Sequence, residues 1–283
     1  MNLINATGLH KSFGDVAALN GFDLCVEPGH IVGLIGPNGS GKTTALKSIL
    51  GLSRLDSGEL DVLGMNPAAQ RKALMQRTAY IADVGILPRW MRVGQLLDFV
   101  AGVHPSFKRE VAEENLARTD VRVDKRIRGL SKGMNVQLHL AIVLAIEADL
   151  LVLDEPTLGL DIIYRQQFYD SVLNDYFEAH RSILITTHEV REIEHILTDV
   201  VFIHKGRNVL NLSMDSLVAE FTKLTVPPSD AEAIRALKPL AEKQSLQGTE
   251  FIFRGADPQA LAERGELTTP NLPELFIAVM GDH

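Results

Sequence analysis

The sequence predicts an α/β protein whose core is a parallel sheet covered by helices. Short aliphatic runs at 31–35, 150–154 and 182–187 favour buried strands, because β-branched residues dominate them and turn or polar residues bound them. Segments with helical periodicity separate these runs, and strands that alternate with helices form parallel sheets. Each run ends in residues able to bind or react. Ligands of such sheets gather at the carboxyl ends of the strands, so we expect one site there.

Composition sets the broad class of the protein. The 283 residues are 46% hydrophobic, which is enough for a large core. The net charge of −8 is unlike the basic footprint of a nucleic-acid binder, so no nucleic acid is expected as a partner. The only cysteine, Cys25, excludes a disulfide framework and is expected to be a small buried hydrophobe.

Two further expectations concern targeting. The first residues lack a basic stretch followed by an apolar run, so we expect no signal peptide. No segment offers the roughly 20 uninterrupted apolar residues that span a bilayer. Any membrane role is therefore expected to come through a partner.

The first 28 residues predict an antiparallel sheet with one covered face. Strand-like pieces flank a turn at Phe13-Gly14-Asp15. Two interpretations of Phe13 remain open from the residues alone. It is either a core aromatic or a platform on which an adenine ring stacks.

The stretch after the strand at 31–35 is the most specific signal in the chain. It fits the pattern G-x-x-x-x-G-K-[ST] at every fixed position, through Gly36, Pro37, Asn38, Gly39, Ser40, Gly41, Lys42 and Thr43. Such a loop aims backbone N–H groups into an anion site at a helix N-terminus. Lys42 is expected to reach the β- and γ-phosphates and Thr43 to ligate Mg²⁺, while Thr44 continues the helix toward Gly51. The motif predicts a P-loop NTPase core without choosing among kinase, GTPase and motor.

Residues 84–147 predict an inserted helical subdomain. The segment follows strands near 57–64 and 80–82, a helix at 67–77, and Asp83. A loop containing Trp90 comes first, and helical periodicity then runs from Val93 to about Arg128. Ser131 is a good N-cap for the helix that follows.

Two strand ends carry candidate catalytic groups. Asp154 can hold the Mg²⁺ that bridges the β- and γ-phosphates, and Glu155 can act as general base on an attacking water. His188 ends the strand at 182–187. On the residues alone, it is either a structural histidine or a hydrogen-bond donor to the γ-phosphate.

The chain changes character near residue 213, so we predict a P-loop domain at 1–212 and a small α+β accessory domain at 213–283. Within the latter, the pattern predicts helices to 220, at 230–243, near 258–264 and at 272–280, with strands at 223–226 and 250–253. No chemical motif is found there.

Six motifs, in order along residues 2–212, resemble those of the nucleotide-binding subunit of ATP-binding cassette (ABC) proteins. Phe13 matches the adenine loop, residues 36–44 the P-loop, and 150–155 the Walker B strand. LSKGM at 130–134 is similar to the LSGGQ signature, residues 158–161 to the D-loop with Asp161, and His188 to the switch histidine. The signature positions are Ser131, Lys132, Gly133 and Met134.

The resemblance implies an ATPase that uses ATP and Mg²⁺, with Lys42, Glu155 and His188 as catalytic residues. Two subunits, identical or related, would meet head to tail, and each ATP would touch the P-loop of one and Ser131 and Gly133 of the other. It also implies a permease partner at the cytoplasmic face of the membrane, with the Trp90 loop where a coupling helix docks. The alternative for Trp90 is packing on its own lobe. The signature variant is similar to that of an export-type bacterial group.

Two departures from the family pattern bear on coupling. Asp83 stands where the family has glutamine; it could still ligate Mg²⁺, but it adds negative charge. Lys132 and Met134 replace a glycine and a glutamine in the signature.

Two other functions are kept as alternatives. A soluble ABC ATPase acting on DNA or the ribosome usually has a long coiled-coil insertion or two cassettes, and this chain has neither. The other alternative is a regulatory module with weak ATP turnover, and the presence of Asp83 keeps this alternative open.

Overall fold

The computed structural model describes residues 2–82, 87–158, 162–173 and 181–281. Its strands are β1 Ile4–Phe13, β2 Val16–Val26, β3 Ile31–Ile35, β4 Ser57–Val62, β5 Thr78–Ile81, β6 Leu150–Asp154, β7 Ser182–Thr187, β8 Asp199–His204, β9 Arg207–Ser213, β10 Phe221–Val226, β11 Ala241–Ser245, β12 Gly248–Arg254 and β13 Glu266–Thr268. Its helices are α1 Lys42–Ile49, α2 Arg71–Met75, α3 Val93–Val103, α4 Arg109–Ala117, α5 Lys132–Leu144, α6 Ile162–Ser171, α7 Val190–Ile193, α8 Met214–Glu220, α9 Ala231–Arg235, α10 Pro258–Ala262 and α11 Leu272–Met280.

The central sheet has the order β5-β6-β7-β3-β8-β9. Its first five strands are parallel and β9 runs antiparallel to β8, so the predicted parallel core is confirmed. Every residue of β3, β6 and β7 is buried, as their aliphatic composition requires. These three strands are neighbours, and Ile35 pairs with Thr187 while Asp154 pairs with Thr186. The reactive strand ends therefore lie side by side.

The N-terminal strands form a second, antiparallel sheet in the order β2-β1-β4. Its apolar face packs with α1 against the central sheet, and the predicted hairpin turn after Phe13 is present. The expectation that Cys25 is buried is wrong, because its side chain is exposed. Residues of a strand alternate between faces, so burial of Leu24 and Val26 turns Cys25 outward.

Between β5 and β6 the chain forms α3, α4 and α5, as the periodicity predicts. Leu96, Leu97, Ala112 and Leu116 bury their side chains in the same cluster as the apolar face of α5. The helix expected at 67–77 is shorter, since α2 spans only Arg71–Met75. Among the described residues, no helix is both long enough and apolar enough to cross a membrane.

The last seventy residues build a third sheet in the order β11-β12-β10-β13. Leu224, Phe251 and Leu261 belong to its small separate core. The final helix, α11, packs instead on the large core: Leu272 and Leu275 are buried there, and the Phe276 ring meets Phe202 of β8 edge-on at 5.2 Å. The C-terminal segment is thus attached to the central sheet through α11.

The helix expected at 230–243 is wrong. α9 ends at Arg235, and Lys238 adopts a left-handed conformation with φ of 55°. Pro239 follows it, and a residue before proline is disfavoured in the helical region. The Leu240 N–H donates to the Ile252 carbonyl, so the chain joins the sheet as β11.

Candidate nucleotide-binding site

The P-loop lies between β3 and α1 and is pressed against β2 and the end of β8. A β-carbon on Gly36 would lie 2.3 Å from the Ile203 carbonyl oxygen, and one on Gly41 would lie 2.4 Å from that of Ala18. Gly41 also has φ of 113°, which L side chains rarely adopt. Glycine is therefore required at both positions. No side chain caps the N-terminus of α1, so its first N–H groups remain available to an anion.

Lys42 is held inside the loop that it follows. Its side chain is buried, and Nζ donates to the Gly36 carbonyl at 2.7 Å. Nζ also lies 3.3 Å from Oε1 of Glu155. The ammonium group is thus already placed at the loop, where bound phosphates would supply stronger partners than carbonyl oxygens.

Asp154 ends β6 and points at the start of α1. Its Oδ1 accepts hydrogen bonds from Thr186 Oγ1 at 2.7 Å and from Thr43 Oγ1 at 3.3 Å. The Thr43 hydroxyl and the Asp154 carboxylate are the oxygen ligands that Mg²⁺ takes beside a nucleotide. The predicted metal pair is therefore brought together and fits the ion.

Glu155 has an unusual backbone conformation that aims its carboxylate at the P-loop. Its φ is 48°, and its N–H donates to the Thr186 carbonyl at 3.1 Å. Oε2 lies 2.8 Å from Nδ1 of His188. Oε1 is buried and has no hydrogen bond, despite the nearby Lys42. Backbone strain of this kind costs about 1–3 kcal/mol and is concentrated at functional sites. Oε1 therefore has the Lys42 ammonium as its ionic neighbour and, among the described residues, no hydrogen-bond donor of its own.

A buried polar network behind Glu155 was missed from the sequence. Thr157 Oγ1 donates to Glu192 Oε2 at 3.0 Å and lies 3.2 Å from the Tyr169 hydroxyl, and Arg165 forms an ion pair with Glu192. Burial raises the pKa of Tyr169, so its phenol stays protonated. The network ties the turn after β6 to α6 and α7. Its members lie far apart in the sequence, so no local pattern indicated it.

Thr186 was also missed, although a signal was present. It precedes Thr187 and His188 at the end of a buried strand, where two hydroxyls are unexpected in an otherwise aliphatic run. Its hydroxyl donates to Asp154 Oδ1, and its carbonyl oxygen accepts from the Glu155 N–H.

Residues 131–134 begin α5, and Ser131 is its N-cap as predicted. Ser131 Oγ accepts from the Met134 N–H at 3.2 Å. Ser131 and Lys132 are exposed, Gly133 is buried, and Met134 is half-buried. Ser131 Oγ and the Ser131 carbonyl accept hydrogen bonds from Met134 and Asn135 at the start of the same helix, so these contacts are local to α5.

Phe13 and Trp90, the two aromatic residues for which the sequence left two interpretations each, are both exposed. Phe13 is 56% exposed at the end of β1, with Lys11 Nζ 5.3 Å from its ring centre, so it is not a core residue. Trp90 is 68% exposed, which contradicts packing on its own lobe. Asp83 and Asp161 lie outside the described residues.

Comparison with known proteins identifies the family of the chain. A family model described as ABC transporter matches residues 19–158. Nod factor export ATP-binding protein I of a Rhizobium species is 30% identical, with 98% of this chain and 97% of the relative covered. The protein of the same name from Cupriavidus metallidurans is also 30% identical, with 99% and 97% covered.

Solved structures agree as well. An ATP-binding subunit of an ABC transporter superposes with a TM-score of 0.69 at 25% identity, covering 77% of this chain and 92% of the other. An ATP-binding cassette in its ADP conformation gives a TM-score of 0.65 at 20% identity, covering 76% and 92%. The chain is an ATP-binding, ATP-hydrolysing subunit of a transporter whose other part is a membrane permease. It belongs to the ABC transporter family.

Proposed function

We propose that this chain drives an exporter from the cytoplasmic face of the membrane. Relatives that match nearly the whole length of the chain are named for export, which supports export as the direction of transport. The observation that carries active hydrolysis is the Glu155 carboxylate, which lies between Lys42 Nζ and His188 Nδ1. A module that only binds ATP has no need of a base held in a strained conformation beside a lysine.

The residues of the site divide the reaction among them. Lys42 and the N–H groups of residues 36–44 would bind the β- and γ-phosphates. Thr43 and Asp154 would hold Mg²⁺, with Asp83 as the proposed third ligand, and the ion would neutralise phosphate charge. Glu155 takes a proton from water as its oxygen attacks the γ-phosphorus, and the bond to the ADP oxygen breaks. His188 would orient Glu155 and contact the γ-phosphate. Phe13 would stack on adenine, which its exposure supports.

We also propose that two such chains, identical or related, close head to tail around two ATP molecules. Ser131 and Gly133, with Lys132 and Met134 beside them, would contact the ATP on the partner's P-loop, and Asp161 would lie between the two sites. The exposed position of Ser131 at a helix N-terminus supports this role. Residues 1–212 would form the ATPase and 213–283 an accessory unit, which the separate core of the third sheet supports.

The test is capture of the permease from native membranes after gentle solubilisation. The tagged chain is expected to copurify with a protein of several membrane spans. Trp90→Ala should reduce this capture strongly, because exposed tryptophans anchor interfaces. Phe99→Ala, at another exposed aromatic of the helical lobe, is the matched control and should leave it unchanged. Copurification of ribosomes or DNA-associated proteins alone would favour the soluble alternative and overturn the proposal.

A further inference from the structure

The ring of Tyr164 on α6 lies directly against Gly133 on α5. A β-carbon added to Gly133 would lie 2.3 Å from Cζ of Tyr164, 2.5 Å from Cε1 and 2.7 Å from Cε2. Contacts this short do not occur, so the ring occupies the place that any side chain at residue 133 would take. Tyr164 is half-buried and packs against the large hydrophobic core.

The direction of this contact explains the glycine. The missing side chain would point into the same chain, toward the Tyr164 ring of α6. Alanine stabilises a helix by about 1 kcal/mol relative to glycine, so glycine in this turn needs a reason. Gly129, four residues earlier, has nothing within 4 Å of its own missing β-carbon. Of these two neighbouring glycines, only Gly133 is crowded.

We propose that Tyr164 is a positioning residue that sets the orientation of the turn 131–134, and that residue 133 is glycine because the Tyr164 ring fills the space. The proposal rests on the proposed head-to-tail dimer. The contact links the signature turn at the start of α5 to α6. Tyr164 itself touches neither nucleotide.

A substitution at either residue should disturb the turn 131–134. A cleft of about 360 Å³ lies beside the ring, lined in part by Leu140, Tyr164 and Gln167. A methyl group at residue 133 would push the ring toward this cleft, and truncation of the ring would leave the turn without support. Gly133→Ala displaces the ring by a clash, and Tyr164→Ala removes the ring. With the ring already gone, the added methyl group meets no clash, so the two effects should not add.

The experiment measures ATP-dependent dimerisation by analytical ultracentrifugation, with Glu155→Gln as the background that blocks hydrolysis. Tyr164→Ala and Gly133→Ala are each expected to raise the ATP concentration at half-dimerisation about tenfold, and the double variant no more than the worse single one. Binding of a fluorescent ATP analogue to the dilute monomer should be unchanged in all three. A merely unfolded protein would lose this binding.

The controls are matched to the geometry. Gly129→Ala makes the same substitution in open space and should dimerise normally. Tyr164→Phe keeps the ring, so the single variant should dimerise nearly normally. When it is combined with Gly133→Ala, the clash remains and the defect should be as large as that of Gly133→Ala alone. If Tyr164→Ala does not fold, Tyr164→Leu keeps apolar packing while withdrawing Cζ from Gly133, and the same comparison applies.

Additive defects would overturn the inference, since they would mean that the nucleotide, not the ring, requires the glycine. Normal dimerisation of Tyr164→Ala would overturn it too. Failure of Glu155→Gln itself to dimerise with ATP is a separate result, visible before Tyr164 is changed. That result would overturn the proposed function and the inference with it.

Discussion

The proposed chemistry depends most on the side chain of Glu155. One carboxylate oxygen lies 2.8 Å from His188 and the other 3.3 Å from Lys42, and the backbone is held at φ of 48°. The Glu155 N–H donates to the Thr186 carbonyl and hydroxyl, which holds the backbone in this conformation. A residue held this firmly can act on water without rearranging, which lowers the cost of reaching the transition state.

At this scale we predict that Glu155→Gln nearly abolishes turnover. Glutamine keeps the size and hydrogen-bonding reach of the side chain but cannot take a proton, so kcat should fall about 10²–10⁴-fold. ATP affinity should stay within a few-fold. Phosphate release and nucleotide binding measure the two effects. Glu110→Gln, an exposed position on α4, is the control and should behave as wild type. Undiminished turnover in Glu155→Gln would show that another group is the base.

At the scale of elements, the turn after β6 is positioned by two helices. Thr157 is buried, and its hydroxyl meets Tyr169 of α6 and Glu192 of α7. Arg165 of α6 pairs with Glu192 in turn, so the two helices are linked across this turn. Since His188 lies two residues before α7, the network relates the strand end of β7 to that of β6.

We therefore predict that Glu192→Ala lowers both stability and kcat. It leaves the buried Thr157 hydroxyl and the Arg165 guanidinium without their carboxylate, which should cost about 1–3 kcal/mol of unfolding free energy. Turnover should fall more than ATP affinity, because the network supports Glu155 and not the P-loop. Urea denaturation and steady-state kinetics give the two values. Arg191→Ala, exposed on the same helix, should change neither. Normal kcat in Glu192→Ala would contradict a positioning role.

At the scale of the whole molecule, α11 connects the third sheet to the central one. Leu275 is fully buried in the large core, and the Leu272 N–H donates to Glu194 Oε1 at 2.6 Å. Glu194 follows α7 directly, so the C-terminal segment is attached near the strand end that carries His188. The segment therefore contributes to the stability of the ATPase core.

At this scale we predict that Leu275→Ala destabilises the protein by about 2–4 kcal/mol, because it leaves a cavity in the core. ATP at 100 times its dissociation constant should still add about 2.7 kcal/mol, as in wild type. Thermal denaturation with and without ATP measures both. Ile277→Ala, 71% exposed on the same helix, is the control and should be nearly neutral. An ATP effect that vanished in Leu275→Ala would show that the segment is needed for binding as well as for stability.

The C-terminal segment also shows where sequence patterns mislead. Ile234, Leu237 and Leu240 have helical spacing, yet the chain leaves the helix after Arg235. The left-handed Lys238 and the proline after it break the helix, and pairing with β12 then provides the hydrogen bonds. Helical periodicity alone takes no account of the break at Lys238 and Pro239 or of the pairing with β12.

Sequence patterns alone predicted the P-loop, the three buried strands and the candidate site residues at their ends. These features are local: spacing fixes the loop, and an aliphatic run bounded by polar residues fixes a strand. Three contacts became visible only in the tertiary structure: the Glu155 N–H donates to Thr186, Thr157 donates to Glu192, and the Tyr164 ring fills the space beside Gly133. Each of these contacts joins residues distant in the chain, and the order of strands and the packing of helices bring them together.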